Sequence, residues 1–171
     1  FTPLMISHEG KRVFFYTTVG NQNDMVKNEV EIWNSKSKLE TGRDLLEGNP
    51  SRRPKLAVWQ PASNNVFEIA STERPSVVLL PDTKKAIVFN PHQYEPQKEL
   101  MGPSDFWLTD LESQQKELIL PKVAQKIGSW GVAPNCRFIK YFKYKDLWIY
   151  DCVEKTNTLV TKNITNLLDD K

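Results

Sequence analysis

Few side chains in this chain could do chemistry. His8 and His92 are its only histidines. His8 sits in a Ser-His-Glu-Gly turn and His92 in a Pro-flanked loop, and neither has a Cys, His or carboxylate partner at metal-ligand spacing. Ser7, Ser104 and Ser129 are candidate nucleophiles by residue type alone, because no general base stands at a recognisable position beside any of them. Asp110 and Asp151 each end an apolar run just before a polar turn. That placement suits an Asx-type turn cap. A calcium ligand is the alternative, but no clustered carboxylates accompany it. The residues therefore predict no catalytic, cofactor-binding or metal site.

Cys136 and Cys152 are the only cysteines. If RFIKYF and DLWIYD pair as a hairpin around Tyr144, the two fall on neighbouring strands. They could form a cross-strand disulfide, whose geometry is demanding, or stand as two buried free thiols. Five tryptophans invite comparison with a carbohydrate platform. Trp33, Trp107 and Trp148 recur in similar motifs, which points to packing instead; Trp59 and Trp130 are less constrained. A sugar-binding surface would need Trp59 and Trp130 exposed side by side. Arg43, Arg52 and Arg53 lie in a long polar stretch that reads as a solvated charged loop, with a partner contact as the sharper alternative.

Composition narrows the class. A chain of 171 residues fits one domain. With 23 Lys and Arg against 21 Asp and Glu, the net charge of +2 is too balanced to argue for nucleic acid or a membrane surface. No apolar run is long enough to span a bilayer as a helix. Eleven prolines against seven glycines imply many reversals and few long helices. The start at Phe1 and the end in Leu-Leu-Asp-Asp-Lys both read as cut.

The elements that must position these residues read as strands. They are Leu4 to Ile6, KRVFFYTTV, EVEIWN, KLAVWQ, VFEIA, PSVVLL, KAIVFN, DFWLTD, KELIL, SWGVAP, RFIKYF, DLWIYD and TLVT, rich in β-branched and aromatic residues and bounded by turn residues. Residues 35–54 read as an insertion. TDLESQQKELIL looks locally helical, with Thr109 and Glu112 in a capping-box pattern. The strand reading prevails because DFWLTDLES aligns with DLWIYDCVE, Trp107 over Trp148 and Asp110 over Asp151.

A turn-plus-strand unit occurs three times, as SHEGKRVFFY, LPDTKKAIVF and APNCRFIKYF. A strand carrying Trp follows each, in EVEIWN, DFWLTD and DLWIYD, and a closing strand follows that. Repeats of about 40 to 50 residues built from four short strands are propeller blades. The expected fold is all-β, a partial β-propeller of about three four-stranded antiparallel blades at 1–71 (with the insertion 35–54), 75–120 and 128–162. Closed propellers typically have about four to eight blades, so three leave open flanks. An exposed blade face or edge strand should then let the chain self-associate.

At SWGVAPNCRFIKYFKYKDLWIYDCVEKTNTLVT the sequence resembles the blades of TolB-type and prolyl oligopeptidase propellers. EVEIWN followed by KLAVWQPASNNVFEIA resembles the N-terminal propeller of bacterial, dipeptidyl-peptidase-like serine peptidases of the prolyl oligopeptidase family. Departures exist. Pro134-Asn135-Cys136-Arg137 replaces a Pro-Asp-Gly-Lys turn, and Pro81-Asp82-Thr83-Lys84 lacks the Gly, with Asn135 the expected substitute at positive φ. No Gly-x-Ser-x-Gly elbow is present, so no catalytic residue carries over. The resemblance implies a non-catalytic segment that gates peptide access to a C-terminal α/β-hydrolase domain, without a cofactor, in a periplasmic or secreted compartment, with the cytoplasm as the alternative. A TolB-type protein-interaction module without peptidase activity is the second reading.

Overall fold

Alternation of apolar and polar residues builds twelve short strands, and no helix occurs among the described residues. The computed structural model describes residues 3–18, 53–94, 102–124 and 130–162. The first sheet comprises β1 (Pro3–Ile6), β2 (Val13–Thr17), β3 (Lys55–Gln60) and β4 (Asn65–Glu68). The second comprises β5 (Ser76–Leu79), β6 (Lys85–Phe89), β7 (Pro103–Asp110) and β8 (Lys116–Ala124). The third comprises β9 (Trp130–Val132), β10 (Phe138–Lys143), β11 (Asp146–Asp151) and β12 (Thr156–Leu159). Each sheet is an antiparallel meander in which every strand pairs with its neighbour in sequence. This is an all-β partial propeller of three blades.

Period-two alternation gives the middle sheet two apolar faces. Along β6, Ala86 and Val88 pack with Phe14, Leu56 and Val58 of the first sheet. Ile87 and Phe89 point the other way, into a core shared with Ile139, Tyr141 and Trp130 of the third. In β7, Trp107 joins the first core while Phe106 and Leu108 join the second. Phe106 is fully buried, with its ring 4.9 Å from Phe89 and 5.1 Å from Trp130. The middle sheet is thus filled on both sides, and the three sheets stack in sequence order.

The turns repeat as closely as the strands. Ser7, Leu80 and Ala133 donate their N–H groups to Arg12, Lys85 and Phe138 carbonyls at 2.9, 3.0 and 2.8 Å. Within those loops Gly10, Thr83 and Cys136 adopt φ of 66°, 54° and 58°. The sequence pattern pointed to Asn135 for this role in the third copy; the positive φ falls one residue later, on Cys136. Asn135 instead uses its Oδ1 to accept from Arg137 N–H at 3.1 Å, as Asp82 does from Lys84 N–H at 2.9 Å. The second hairpin of each sheet also repeats. Asn64, Gln114 and Lys155 take φ of 49°, 59° and 54° just before the closing strand.

One element departs from expectation. In the first sheet the strand beside β2 is β3, KLAVWQ, and not EVEIWN. Residues 18–54 connect β2 to β3, and EVEIWN with Trp33 lies outside the described residues, as do nearly all of 35–54. Register makes Ala57 the counterpart of Trp107 and Trp148. TDLESQQKELIL forms the end of β7, a turn and β8, as its alignment with the third copy required. β8 extends to Ala124, beyond the boundary at 120.

β10 and β11 are joined by Tyr144-Lys145 alone, with φ of 55° and 69°. That is a two-residue turn of the type that Asn-Gly favours, and neither residue present relaxes it. Replacing Tyr144-Lys145 by Asn-Gly should stabilise the chain by about 1 kcal/mol, read as a higher urea midpoint at unchanged m value. Phe106→Ala should cost about 3–5 kcal/mol by the same measurement, since it empties the junction of two sheets.

Candidate functional site

Polar side chains gather at the turn ends of the blades and at one bulge in the middle sheet. Asp110 closes β7, and its Oδ1 accepts from Glu112 N–H at 3.0 Å, Ser113 N–H at 2.8 Å and Ser113 Oγ at 3.1 Å. The Ser113 backbone bond, working against burial and helped by Glu112, the Ser113 hydroxyl and Lys85, holds this carboxyl below its ordinary range. Asp151 closes β11 in the same way, with Oδ1 accepting from Val153 and Glu154 N–H groups. Its Oδ2 takes two bonds from the Arg137 guanidinium, at 3.0 and 2.9 Å, and that partner chiefly lowers its pKa. Both carboxylates are consumed by turn geometry.

The serines and histidines are also placed structurally. Ser7 is buried, and its Oγ accepts the Arg12 N–H at 3.0 Å. Ser104 donates to the Asn90 carbonyl at 2.5 Å. His8 is exposed in its turn. His92 donates its backbone N–H to Asn90 Oδ1 at 2.9 Å. Among the described residues no three His, Cys, Asp or Glu side chains gather to hold a metal. Among the described residues no helix is long and apolar enough to cross a membrane. Ser129, Arg43 and Arg52 lie outside the described residues.

Cys136 and Cys152 are both free thiols. Cys152 N–H donates to Arg137 O at 2.7 Å; the two cysteines lie at the same end of the β10–β11 hairpin, in the turns just outside the paired strands and not on them. Cys136 Sγ instead accepts the Asp82 N–H of the neighbouring blade at 3.3 Å. Burial raises both thiol pKa values. The tryptophans do not form a platform. Trp130 packs between blades on Phe89 and Phe106, whereas Trp59 lies on the first sheet and donates Nε1 to Asn64 Oδ1 at 3.2 Å. Trp107 sits under the Arg74 guanidinium at 4.3 Å, and Trp148 stacks on Tyr141.

Two arrangements were not apparent from the sequence. Arg12 is buried at 7% exposure, yet it reaches across to Glu112 of the second sheet at 2.7 Å. Beside it Gln60 Nε2 donates to the Leu111 carbonyl at 2.7 Å. These two contacts bridge the first and second blades at their turn ends. The only sequence signal was the basic residue recurring at each strand start. The second arrangement centres on Asp105, at a register shift between β7 and β8. Its Oδ1 accepts from Tyr94 Oη at 2.7 Å and Lys122 N–H at 2.8 Å, and its Oδ2 from Gln93 Nε2 at 2.6 Å. Burial disfavours the charge, but these three bonds and the field of Arg74 outweigh it and lower the pKa. Lys122 holds φ of 56° there. Asp105 thus ties the Gln93–Tyr94 loop to a strand residue held at positive φ.

Comparison with known proteins adds fold likeness only. No family model and no curated protein matches the chain. Among solved structures, TolB from Acinetobacter baumannii is similar at 17% identity over 66% of this chain and 28% of its own, TM-score 0.40. The tricorn protease is similar at 16% identity over 66% of this chain and 11% of its own, TM-score 0.41. The β-propeller domain of the trilobed protease from Pyrococcus furiosus is similar at 15% identity over 88% and 40%, TM-score 0.40. The chain thus spans less than half of each of these structures.

The depressed carboxyl of Asp105 carries a pH consequence. A carboxylate whose folded pKa lies below its unfolded value, about 3.9, adds stability that is complete above that value and is lost as pH falls through the folded pKa. Asp105→Asn should lower stability at neutral pH by about 1–3 kcal/mol. In urea titrations the gap to wild type should close below about pH 4. A gap that persisted in acid would show that ionisation of Asp105 contributes nothing.

Proposed function

We propose that this chain is a non-catalytic propeller segment of a prolyl-oligopeptidase-like serine peptidase, in which it restricts peptide entry to a hydrolase domain. The observation that carries this reading is how the reactive residue types are spent. Asp110, Asp151 and Ser7 satisfy turn backbones, Asp105 ties down a loop, and both thiols are held high in pKa. A segment so occupied positions and excludes; it does not cleave. The resemblance of SWGVAPNCRFIKYFKYKDLWIYDCVEKTNTLVT to peptidase blades supplies the rest of the proposal. Its partners would be the hydrolase domain and a peptide substrate.

A TolB-type interaction module is the second reading. It is favoured by one observation, the exposed Ile6, Trp59 and Val66 that lie in one cross-strand row of the first sheet with half-buried Val13.

The two readings separate in one experiment. The 171-residue chain and the product of the reading frame extended past Lys171 are treated with a fluorophosphonate probe and with short and long peptides. The peptidase reading expects no labelling of the chain alone. It expects labelling of the extended product at a Gly-x-Ser-x-Gly serine, with short peptides cleaved in preference to folded proteins. An extended product without that elbow overturns it and leaves the interaction module. Labelling of the 171-residue chain itself would overturn both.

A further inference from the structure

The second and third sheets build the same corner from different residues. In the second, Thr83 stands at the positive-φ position of the first turn, and Leu111 N–H donates to Lys84 O at 2.9 Å. In the third, Cys136 takes the place of Thr83, and Cys152 N–H donates to Arg137 O at 2.7 Å. The counterparts of Thr83 and Leu111 are thus the only two cysteines of the chain. Neither is the residue that the turn or the packing would select. The turn position suits glycine, which Gly10 supplies in the first sheet, and a side chain held at φ of 58° is strained. Leu111 is fully buried between the first two sheets, and Cys152 is a smaller, half-buried side chain at the equivalent point.

The two side chains turn to the same side of the sheet. Cys136 belongs to the core that the second and third sheets share, and Cys152 packs against that core. The bond from Cys152 to Arg137 sets those two residues opposite each other, a pairing whose Cα atoms lie about 5.5 Å apart in an antiparallel ladder. Cys136 is one residue removed from that pair. An offset of two residues would separate partners by about 7–8 Å, so an offset of one lies between the two values. That interval overlaps the Cα separations of about 4.4–6.8 Å that disulfides span. Both residues are thiols in this structure, and Cys136 Sγ accepts the Asp82 N–H of the second sheet at 3.3 Å. Burial raises both thiol pKa values, which keeps the pair slow toward passing oxidants. Cys136 is buried and Cys152 half-buried, so a reagent meets Cys152 first.

We propose that Cys136 and Cys152 are a dithiol site that a small disulfide oxidant closes to an internal disulfide, bracing the turn end of the third blade. The Cys152 thiolate attacks one sulfur of oxidised glutathione. A bond forms between the two sulfurs, the glutathione S–S bond breaks, and one glutathione leaves as its thiolate. The Cys136 thiolate then attacks the Cys152 sulfur and expels the second glutathione. The two cysteine protons end on the two departing thiolates; the protein is oxidised by two electrons and the glutathione disulfide is reduced by two. The bond closes a loop around the whole β10–β11 hairpin, which restricts the unfolded chain more than the folded one. Closure also draws Cys136 Sγ toward Cys152 and away from Asp82 N–H, so the junction of the second and third blades responds to redox state. The site is independent of the peptidase and module readings and stands or falls without them.

The test is incubation of the reduced, folded chain with oxidised glutathione, an acid quench, and mass spectrometry of its peptides. The expected product joins Cys136 to Cys152 within one chain. Its urea midpoint should exceed that of the reduced chain and return to the reduced value with dithiothreitol. The Asp82 amide resonance should shift on closure, and the Lys84 amide, which bonds to Asp82 Oδ1, should move far less. Two variants, verified as folded by circular dichroism, read the order of attack. Cys136→Ala should stop at a glutathione adduct on Cys152, and Cys152→Ala should stay unmodified. An adduct on Cys136 in the second variant overturns that order. Wild-type thiols that stay free while the chain is folded, or a Cys152 adduct that goes no further, overturn the proposal. Closure found only in urea, or only between two chains, overturns it as well.

Discussion

A four-stranded sheet with two apolar faces is not stable until both are covered, and the middle sheet of this chain is such a sheet. Ala86 and Val88 turn one way from β6, Ile87 and Phe89 the other. Each large side chain so buried contributes about 1.5–3 kcal/mol that a lone sheet would forgo. The first and third sheets exist in their observed places because they supply those two covers. Stacking is the source of stability here, as in other repeat architectures.

Polar chemistry is subordinate to that stacking. Each blade reverses its chain within a few residues at its first and last hairpins, and each such reversal leaves backbone N–H groups that need acceptors. Asp82, Asn135, Asp110 and Asp151 provide them with side-chain oxygens. Between blades, Arg12 and Gln60 donate to the Glu112 carboxylate and the Leu111 carbonyl, and Asp82 N–H donates to Cys136 Sγ. Residue types that elsewhere would signal an active site therefore report turn chemistry in this chain.

Much of this was legible in the sequence because the signals are local. Turn plus strand recurs three times, and Trp107-to-Asp110 aligns with Trp148-to-Asp151 closely enough to overrule a helical pattern in TDLESQQKELIL. The misreadings arose where partners are distant. EVEIWN has perfect strand alternation, but pairing is decided by which strand completes the sheet, and KLAVWQ lies beside β2 after a long connection. The positive φ of Cys136 and Thr83 was hidden because burial and neighbouring hydrogen bonds hold residues that do not favour it. Asp105 looked like one more alternating strand residue, since Tyr94, Gln93 and Lys122 approach it only in three dimensions. No site of bond-making chemistry was legible in the sequence.

The most direct test of this account is amide hydrogen exchange across the three sheets. If the middle sheet is covered on both faces, the amides of β6 and β7 must open only with global unfolding and exchange most slowly. Those of β1 and β4, at the margins of a sheet with an open face, must exchange faster by local opening. Uniform protection of all three sheets, or faster exchange in β6 than in β1, would contradict a stack built around the middle sheet.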